Sequence, residues 1–469
     1  MKYLSSLFTL FFILTHSLTA QQQPSLAGDW KGYININGQH LTNKVHFDKQ
    51  NNGYSGTIDI PQQGAMGLHL QKIRVTKNDS VFFEFEAGGS GLAKYRGHFK
   101  TDSLITGSFH QNGYHFPFKI QRFTPVSTNR KPLPYHHKDI IIKNDSIKIG
   151  GTLTWPEHGK ANQLVVMISG SGAQTRDENV MGFKIFDQMA DYLTQHGIAT
   201  YRYDDRGTGE STGRFDRATL DTLTSDAQAI VTYFSGNTDH HFNTITLLGH
   251  SQGGIVAGKL AARDSLVDKL VLMSSPSIEL YKVLNYQLRR QFQQAHLKKS
   301  QIAKTLTALN DVLKAYRDNK NISEAKKYFQ NQFSSMMNTL PDSVKNHIND
   351  LNKFATNQAN SLIASFTTPQ MLSLNFYDPK SDLRKLHIPV LALFGRKDIQ
   401  VRIDKNRAPM QTALDSAGIS YQINVFKDAD HLYQKAKSVE NENYAMLPKH
   451  FLKGFLPTIV NWIKRSNDK

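Results

Sequence analysis

Three residues in this chain have the types and spacing for covalent catalysis: Ser251, Asp398 and His431, in that order. Ser251 is the centre of Gly249-His250-Ser251-Gln252-Gly253, a G-x-S-x-G pentapeptide that directly follows the apolar run Ile245 to Leu248. A segment rich in small residues (Gly253, Gly254, Ala257, Gly258, Ala261) comes next and reads as a helix. A serine on such a strand-to-helix turn has its hydroxyl pushed outward, and the flanking glycines let strand and helix approach without Cβ clashes. The pentapeptide alone is a weak signal, since a surface turn whose serine caps a helix gives the same pattern. A serine hydroxyl is also a poor nucleophile at neutral pH. It needs a base within hydrogen-bond reach, and that base needs an orienting carboxylate. Asp398, in Gly395-Arg396-Lys397-Asp398, follows the apolar run Pro389 to Phe394, and His431, in Asp428-Ala429-Asp430-His431, follows the run Tyr421 to Phe426. Three such residues, each placed after a strand, predict acyl transfer through a serine ester. Asp404 is the nearby rival of Asp398. Asp428 and Asp430 are rivals for orienting His431, although chain neighbours rarely reach a ring nitrogen in the needed geometry. His250 reads as a buried partner of the turn, not as the base.

A tetrahedral intermediate also needs donors for its oxyanion. The N–H of Gln252, next to the serine, is one expected donor. The other is expected from Ser169-Gly170-Ser171-Gly172 after the run Val165 to Ile168, at the N–H of Ser171. Arg176-Asp177-Glu178 continues that loop and would orient it, meet the substrate, or form an ordinary salt-bridged turn. Tyr203 to Ser211 carries two glycines in a charged loop but neither G-x-G-x-x-G nor a Walker lysine, so it reads as a rigid loop beside the site.

These residues need a scaffold. From Asp139, apolar strands alternate with amphipathic helices: an antiparallel pair turning at Asn144-Asp145, then Val165 to Ile168, Ile198 to Tyr203, Thr244 to Leu248, Leu270 to Met273, Pro389 to Phe394 and Tyr421 to Phe426. Phe186, Met189, Ala190 and Leu193 mark one helix, and a terminal helix is expected over Phe451 to Ile463. That alternation predicts an α/β fold with a mostly parallel sheet and helices on both faces. Residues of about 277–385 interrupt it with helical spacing (Leu280, Leu284, Leu288; Ile302, Leu306, Leu313) and predict a helical cap over the serine. Residues 26–123 read as a small all-β barrel or sandwich with strands at Trp30–Ile36, Tyr54–Ile60, Val81–Phe85, Tyr95–Phe99, Ile105–Phe109 and His115–Ile120. Residues 124–138, with Pro125, Pro132, Pro134 and His136-His137, read as a linker. The catalytic unit is then 139–469.

Lys2 followed by the apolar run Leu7 to Leu14, and a polar stretch ending in Ala20, reads as a signal peptide over residues 1–20 cleaved after Ala20. The run is too short to span a bilayer, and no later segment reads as a membrane span. The chain has no cysteine, so it has neither disulfides nor a thiolate metal site. Export without disulfides fits a secreted or periplasmic bacterial protein. The tandem histidines have no third ligand at metal spacing. The formal net charge is +17. Its excess lies in residues 21–138, in the helical insertion and in residues 389–469, whereas residues 139–276 are net negative. Scattered lysines without a basic stripe argue against a nucleic-acid partner.

In these motifs the chain resembles the α/β-hydrolases, over 139–469 apart from the insertion. More narrowly, it resembles secreted bacterial esterases and serine-aminopeptidase-like hydrolases that carry an N-terminal β domain. The residues behind the resemblance are the Ser169-Gly170-Ser171-Gly172 loop with Arg176-Asp177-Glu178, the Asp204–Ser211 loop, Gly249–Gly254, Tyr377-Asp378-Pro379 and Gly395–Val401. The resemblance implies a serine carboxylesterase acting on a small-molecule acyl ester without a cofactor, with Ser251, Asp398 and His431 as the triad. Its oxyanion loop departs from the common His-Gly form, with Ser169 in place of the histidine. A peptidase or amidase is the alternative, with Asp177 or Glu178 as the anchor for a charged amino terminus. An acyltransferase and a non-catalytic ligand-binding protein are the other readings.

Overall fold

The computed structural model describes residues 24–36, 39–60, 65–86, 92–111, 114–124, 133–158, 161–236, 240–346, 348, 350–437 and 447–465. The expected signal peptide, and most of the expected linker, lie outside these. No described helix is long and apolar enough to cross a membrane.

Nine described strands make one antiparallel N-terminal sheet: β1 (Gly28–Ile36), β2 (Gln39–Gln50), β3 (Gly53–Ile60), β4 (Ala65–His69), β5 (Gln71–Val75), β6 (Ser80–Glu86), β7 (Leu92–Thr101), β8 (Leu104–Gln111) and β9 (Tyr114–Arg122). Their order is β4-β3-β2-β1-β9-β8-β7-β6-β5. The two edge strands, β4 and β5, are consecutive in the chain and separated only by Leu70, whose N–H bonds back to the Gly56 carbonyl at 2.9 Å. The sheet therefore curls until its edges meet, which removes the exposed edge that an open sheet leaves. Its interior is filled by Trp30, Phe47, Phe83, Tyr95 and Phe118. Strands β2, β4 and β5 were not expected. In β2 the inward position between Leu41 and Val45 is Asn43, which breaks the apolar alternation. It is buried because its side-chain amide donates to the Tyr95 hydroxyl at 2.8 Å.

The second sheet begins with β10 (Tyr135–Asn144), four residues inside the expected linker. His136 belongs to this strand and stacks on Trp155 (ring centroids 5.3 Å apart), so it packs against a neighbouring strand where a free linker residue was expected. The chain continues through β11 (Ile147–Pro156), β12 (Gln163–Ile168), a two-residue hairpin β13 (Asn179–Val180) and β14 (Phe183–Lys184), α1 (Ile185–Gln195), β15 (Ala199–Tyr203), α2 (Leu220–Gly236), β16 (Thr244–His250), α3 (Gln252–Ala261) and β17 (Lys269–Met273). The helices α4 (Leu280–Gln294), α5 (Lys299–Asp318), α6 (Ile322–Met337), α7 (Asp342–Lys345), α8 (Leu351–Phe366), α9 (Pro369–Asn375) and α10 (Lys380–Leu383) come next. Then β18 (Val390–Gly395), α11 (Ile403–Ala417), β19 (Tyr421–Phe426) and α12 (Phe455–Lys464) complete the unit. The sheet order is β10-β11-β15-β12-β16-β17-β18-β19. Pairing is antiparallel for β10–β11 and β11–β15, and parallel from β15 onward.

Alternate residues of the central strands feed two cores. Leu164, Val166, Leu247, Leu270, Leu272 and Val390 face the side of α2, α3 and α11. Val165, Met167, Leu248, Val271 and Leu391 face α1 and α12. Burial on both faces explains why these strands read as unbroken apolar runs.

The insertion is helical, as expected, but not all of it is cap. Helices α4, α5, α6 and α8 share a separate core of residues such as Leu306, Leu309, Val312, Phe329, Phe333 and Ile363. Leu374 of α9, Leu383 of α10 and Leu386 pack instead into the core of the sheet. The independent part thus ends near Phe366 and not near residue 385. The N-terminal sheet touches it: Tyr114 on β9 meets Phe354 on α8 edge-on, with ring centroids 6.5 Å apart.

Candidate active site

Parallel strands carry their C-terminal ends to one edge of the sheet, and an open α/β sheet collects chemistry there. Ser251 follows β16 and adopts φ 52, ψ −119, a left-handed strain held between strand and helix. Its N–H is fixed to the Met273 carbonyl at 2.8 Å. The two flanking glycines are required by contact. A Cβ on Gly249 would sit 2.3 Å from the Gly253 carbonyl oxygen, and one on Gly253 2.2 Å from that of Ile168. Gln252 opens α3, so its amide lies at the helix N-terminus beside the serine.

Asp398 and His431 meet. The His431 Nδ1 is 2.8 Å from the Asp398 Oδ2, and both residues are buried. The other oxygen, Asp398 Oδ1, accepts the N–H groups of Gln400 and Val401, each at 2.8 Å. A carboxylate facing His431 and two backbone N–H groups is held in one orientation. With Nδ1 donating to it, His431 is left with Nε2 as the basic nitrogen. Asp404, the sequence rival, is exposed and paired with Arg402. Asp430 spends its Oδ1 on the N–H groups of Leu432 and Gln434, so it shapes the histidine loop from within. Close approach of this loop to β18 needs Gly395, where a Cβ would meet the Asp430 carbonyl oxygen at 2.4 Å. Tyr433, which the sequence did not single out, donates to the Leu393 carbonyl at 2.7 Å and accepts the Ser274 N–H at 2.9 Å. It pins the histidine loop to the ends of β17 and β18.

Glu178 takes the loop-orienting alternative, through a partner, His250, that the sequence did not point to. Its Oε1 accepts the Gly170 N–H at 2.8 Å and lies 2.6 Å from His250 Nδ1. The other nitrogen, His250 Nε2, is 3.2 Å from the His431 carbonyl oxygen. Both nitrogens of His250 thus face acceptors, an arrangement that only the imidazolium satisfies in full. Burial disfavours that charge, but the Glu178 carboxylate outweighs it, with smaller help from the His431 carbonyl and Asp398, and raises His250 above its ordinary value. Glu178 itself has a left-handed backbone (φ 45) and is buried. One carboxylate therefore ties together the loop after β12, the residue preceding the serine and the histidine loop. Asp177 is engaged with Lys184 (2.8 Å) and Arg202 (3.4 Å). Both acids that would have anchored an amino terminus are spent inside the protein.

The loop of Ser171 is held from the other side by Asp205. Its Oδ2 accepts the Ser169 hydroxyl and the Gln174 N–H, each at 2.9 Å. Burial pushes Asp205 up to about 8 against those two bonds. Arg176 binds Asp204, Glu210 and Asp139, which makes the loop from Asp204 to Ser211 a rigid brace. With the Gly170 N–H committed to Glu178, the next amide along the loop is that of Ser171, an exposed residue. Among the described residues no group of three or more histidines and acids could hold a metal ion.

The profile of the Hydrolase_4 family, described as serine aminopeptidase S33, matches residues 180–433, more than half of the chain. The chain belongs to this family. As a serine aminopeptidase S33 family member it is an α/β-hydrolase of the esterase and peptidase type. The match spans Ser251, Asp398 and His431 but begins after Glu178, so the loop from Ser169 to Glu178 lies outside it. Esterase EstD of Thermotoga maritima is 24% identical over 334 residues, covering 71% of this chain and 68% of that protein. Protein phosphatase methylesterase 1 of Candida albicans is 35% identical over 74 residues, 16% of this chain and 20% of that one. Among solved structures, the Pyrococcus furiosus esterase Pf2001 aligns with TM-score 0.40 at 16% identity, over 66% of this chain and 86% of its own. A proline iminopeptidase of Mycobacterium smegmatis aligns with TM-score 0.41 at 16% identity, over 70% and 97%.

Proposed function

We propose that this hydrolase is a serine carboxylesterase acting on small or medium acyl esters through an acyl-enzyme. The observation that carries the reading is the buried Asp398–His431 pair, held at the same sheet edge as a serine in the strained elbow conformation. In the proposed cycle His431 Nε2 takes the Ser251 proton as the oxygen attacks the ester carbonyl. The N–H groups of Gln252 and Ser171 receive the oxyanion. His431 then passes its proton to the departing alcohol, and in the second half-reaction it activates water to release the acid. Asp398, bonded to His431 Nδ1, orients the ring and stabilises the imidazolium. The family description keeps a peptidase in view. The commitment of Glu178 to His250, and of Asp177 to Lys184 and Arg202, speaks for the ester, since neither acid is left for a substrate ammonium. Turnover of p-nitrophenyl esters of graded acyl length, set beside aminoacyl-nitroanilides, tests the choice. Ester turnover is expected to dominate, to favour short or medium chains, and to fall by several orders of magnitude in Ser251→Ala. Faster cleavage of the anilides would put the peptidase in its place.

A further inference from the structure

The cap is fastened to the loop that carries Asp398. Tyr286 on α4 donates its hydroxyl to the Gln400 carbonyl at 2.7 Å and accepts the Arg402 N–H at 3.2 Å. Gln287 donates to the same carbonyl at 3.0 Å. Beside this clip lies a cleft of about 250 Å³. Arg289 and Arg290 of α4 line it from the cap, and Arg396, Asp398, Arg402 and Asp404 line it from the sheet edge. Neither acid has charge to spare for the cleft. Asp398 is bound to His431 and two backbone N–H groups, and Asp404 takes both prongs of Arg402 at 2.9 Å. Among the described residues no ion pair neutralises Arg289 or Arg396. Their two side chains line the same concave site, one from α4 and one from the end of β18, where low-dielectric sides concentrate the field. A guanidinium fork matches the paired oxygens of a carboxylate or phosphate. The same field repels a substrate ammonium.

We propose that this cleft binds an anionic group, a carboxylate or phosphate, brought either as a free anion or on the non-reacting end of an ester. The ester source rests on the esterase reading; binding of the free anion does not. Because Arg289 and Arg396 are exposed, water competes for both, and affinity for a small free anion is modest.

The test has two arms. In the first, inorganic phosphate is titrated calorimetrically at low ionic strength into the full chain carrying Ser251→Ala, so that binding is read without turnover. Saturable binding is expected, weakened at least about tenfold when Arg289→Gln and Arg396→Gln are added, since each removes a charge-assisted bond. In the second, p-nitrophenyl hemisuccinate is compared with p-nitrophenyl butyrate, an uncharged ester of the same acyl length. A loss of about tenfold in kcat/KM for the hemisuccinate alone on the double arginine substitution assigns the cleft to substrate. Phosphate binding that needs both arginines, with no change in the ester ratio, assigns it to a free anion. Absence of phosphate binding together with an unchanged ratio overturns the proposal, as does phosphate binding indifferent to the two substitutions. Should the protein hydrolyse no ester, the esterase reading falls while the phosphate arm still decides the cleft.

Discussion

Replacing Glu178 by Gln keeps the shape of the side chain and removes the charge that holds His250 as an imidazolium. Neutral His250 has a single N–H, which can serve either residue 178 or the His431 carbonyl but not both. Both bonds to His250 survive only if the amide turns its NH2 toward Nδ1, and the Gly170 N–H, which shares Oε1 with Nδ1, then loses its acceptor; one of the three contacts must lapse. A hydrogen bond to a charged partner contributes about 1.5–3 kcal/mol, and breaking a buried ion pair costs about 3–5 kcal/mol. If about 1.4–2.8 kcal/mol of that loss falls on placement of the His431 and Ser171 loops in the transition state, kcat drops about ten- to a hundredfold. KM should hold within about threefold, because no substrate contact is removed. The pH dependence has a definite sign. His250 is raised in the folded protein from its ordinary 6.5, so its contribution to stability is fully present below that pH and is lost as pH rises through the folded value. The gap in unfolding temperature between wild type and Glu178→Gln should therefore be widest near pH 6 and narrow on the alkaline side. Steady-state kinetics on p-nitrophenyl butyrate, with thermal unfolding followed at several pH values, measures both. The doubly substituted Glu178→Gln/His250→Gln protein should be little worse than either single variant, as members of one network are not additive. A folded Glu178→Gln enzyme with kcat within twofold of wild type would refute the positioning argument.

Asp205→Asn tests the other brace of the same loop. Burial raises Asp205 to about 8, so in the wild type its stabilising neutral form is progressively opposed between pH 4 and pH 8 by ionisation in the unfolded chain. The unfolding temperature of Asp205→Asn relative to wild type should rise across that window; a difference flat with pH would contradict the shift. Gly253→Ala places a methyl 2.2 Å from the Ile168 carbonyl oxygen. It should cost at least about 1–3 kcal/mol in denaturant unfolding and lower activity by misplacing Ser251; a neutral result would mean that the elbow is looser than its contacts imply.

The candidate catalytic residues were more legible in the sequence than the contacts that brace them. Ser251, Asp398 and His431 each follow a strand buried on both faces, so unbroken apolar runs marked the strand ends that carry them. Family membership bears out the α/β-hydrolase reading of the fold. Strand β2 was hidden because Asn43 fills an inward position and is satisfied by Tyr95, 52 residues further on. Glu178 could not be assigned between orienting its loop, meeting the substrate and an ordinary salt-bridged turn because its partner His250 lies 72 residues away. Helices α9 and α10 were assigned to the cap because helical spacing does not say which core a helix joins. Long-range pairing of polar groups leaves no local period, and that is the part sequence pattern cannot carry.

The central claim is that Ser251 is the nucleophile, and covalent labelling tests it most directly. After incubation with a fluorophosphonate, intact-mass measurement and peptide mapping should find one adduct per chain, on Ser251. That adduct should be absent from Ser251→Ala and formed far more slowly by His431→Ala. A full-stoichiometry adduct on another residue, or none on a folded protein that hydrolyses esters, would contradict the account.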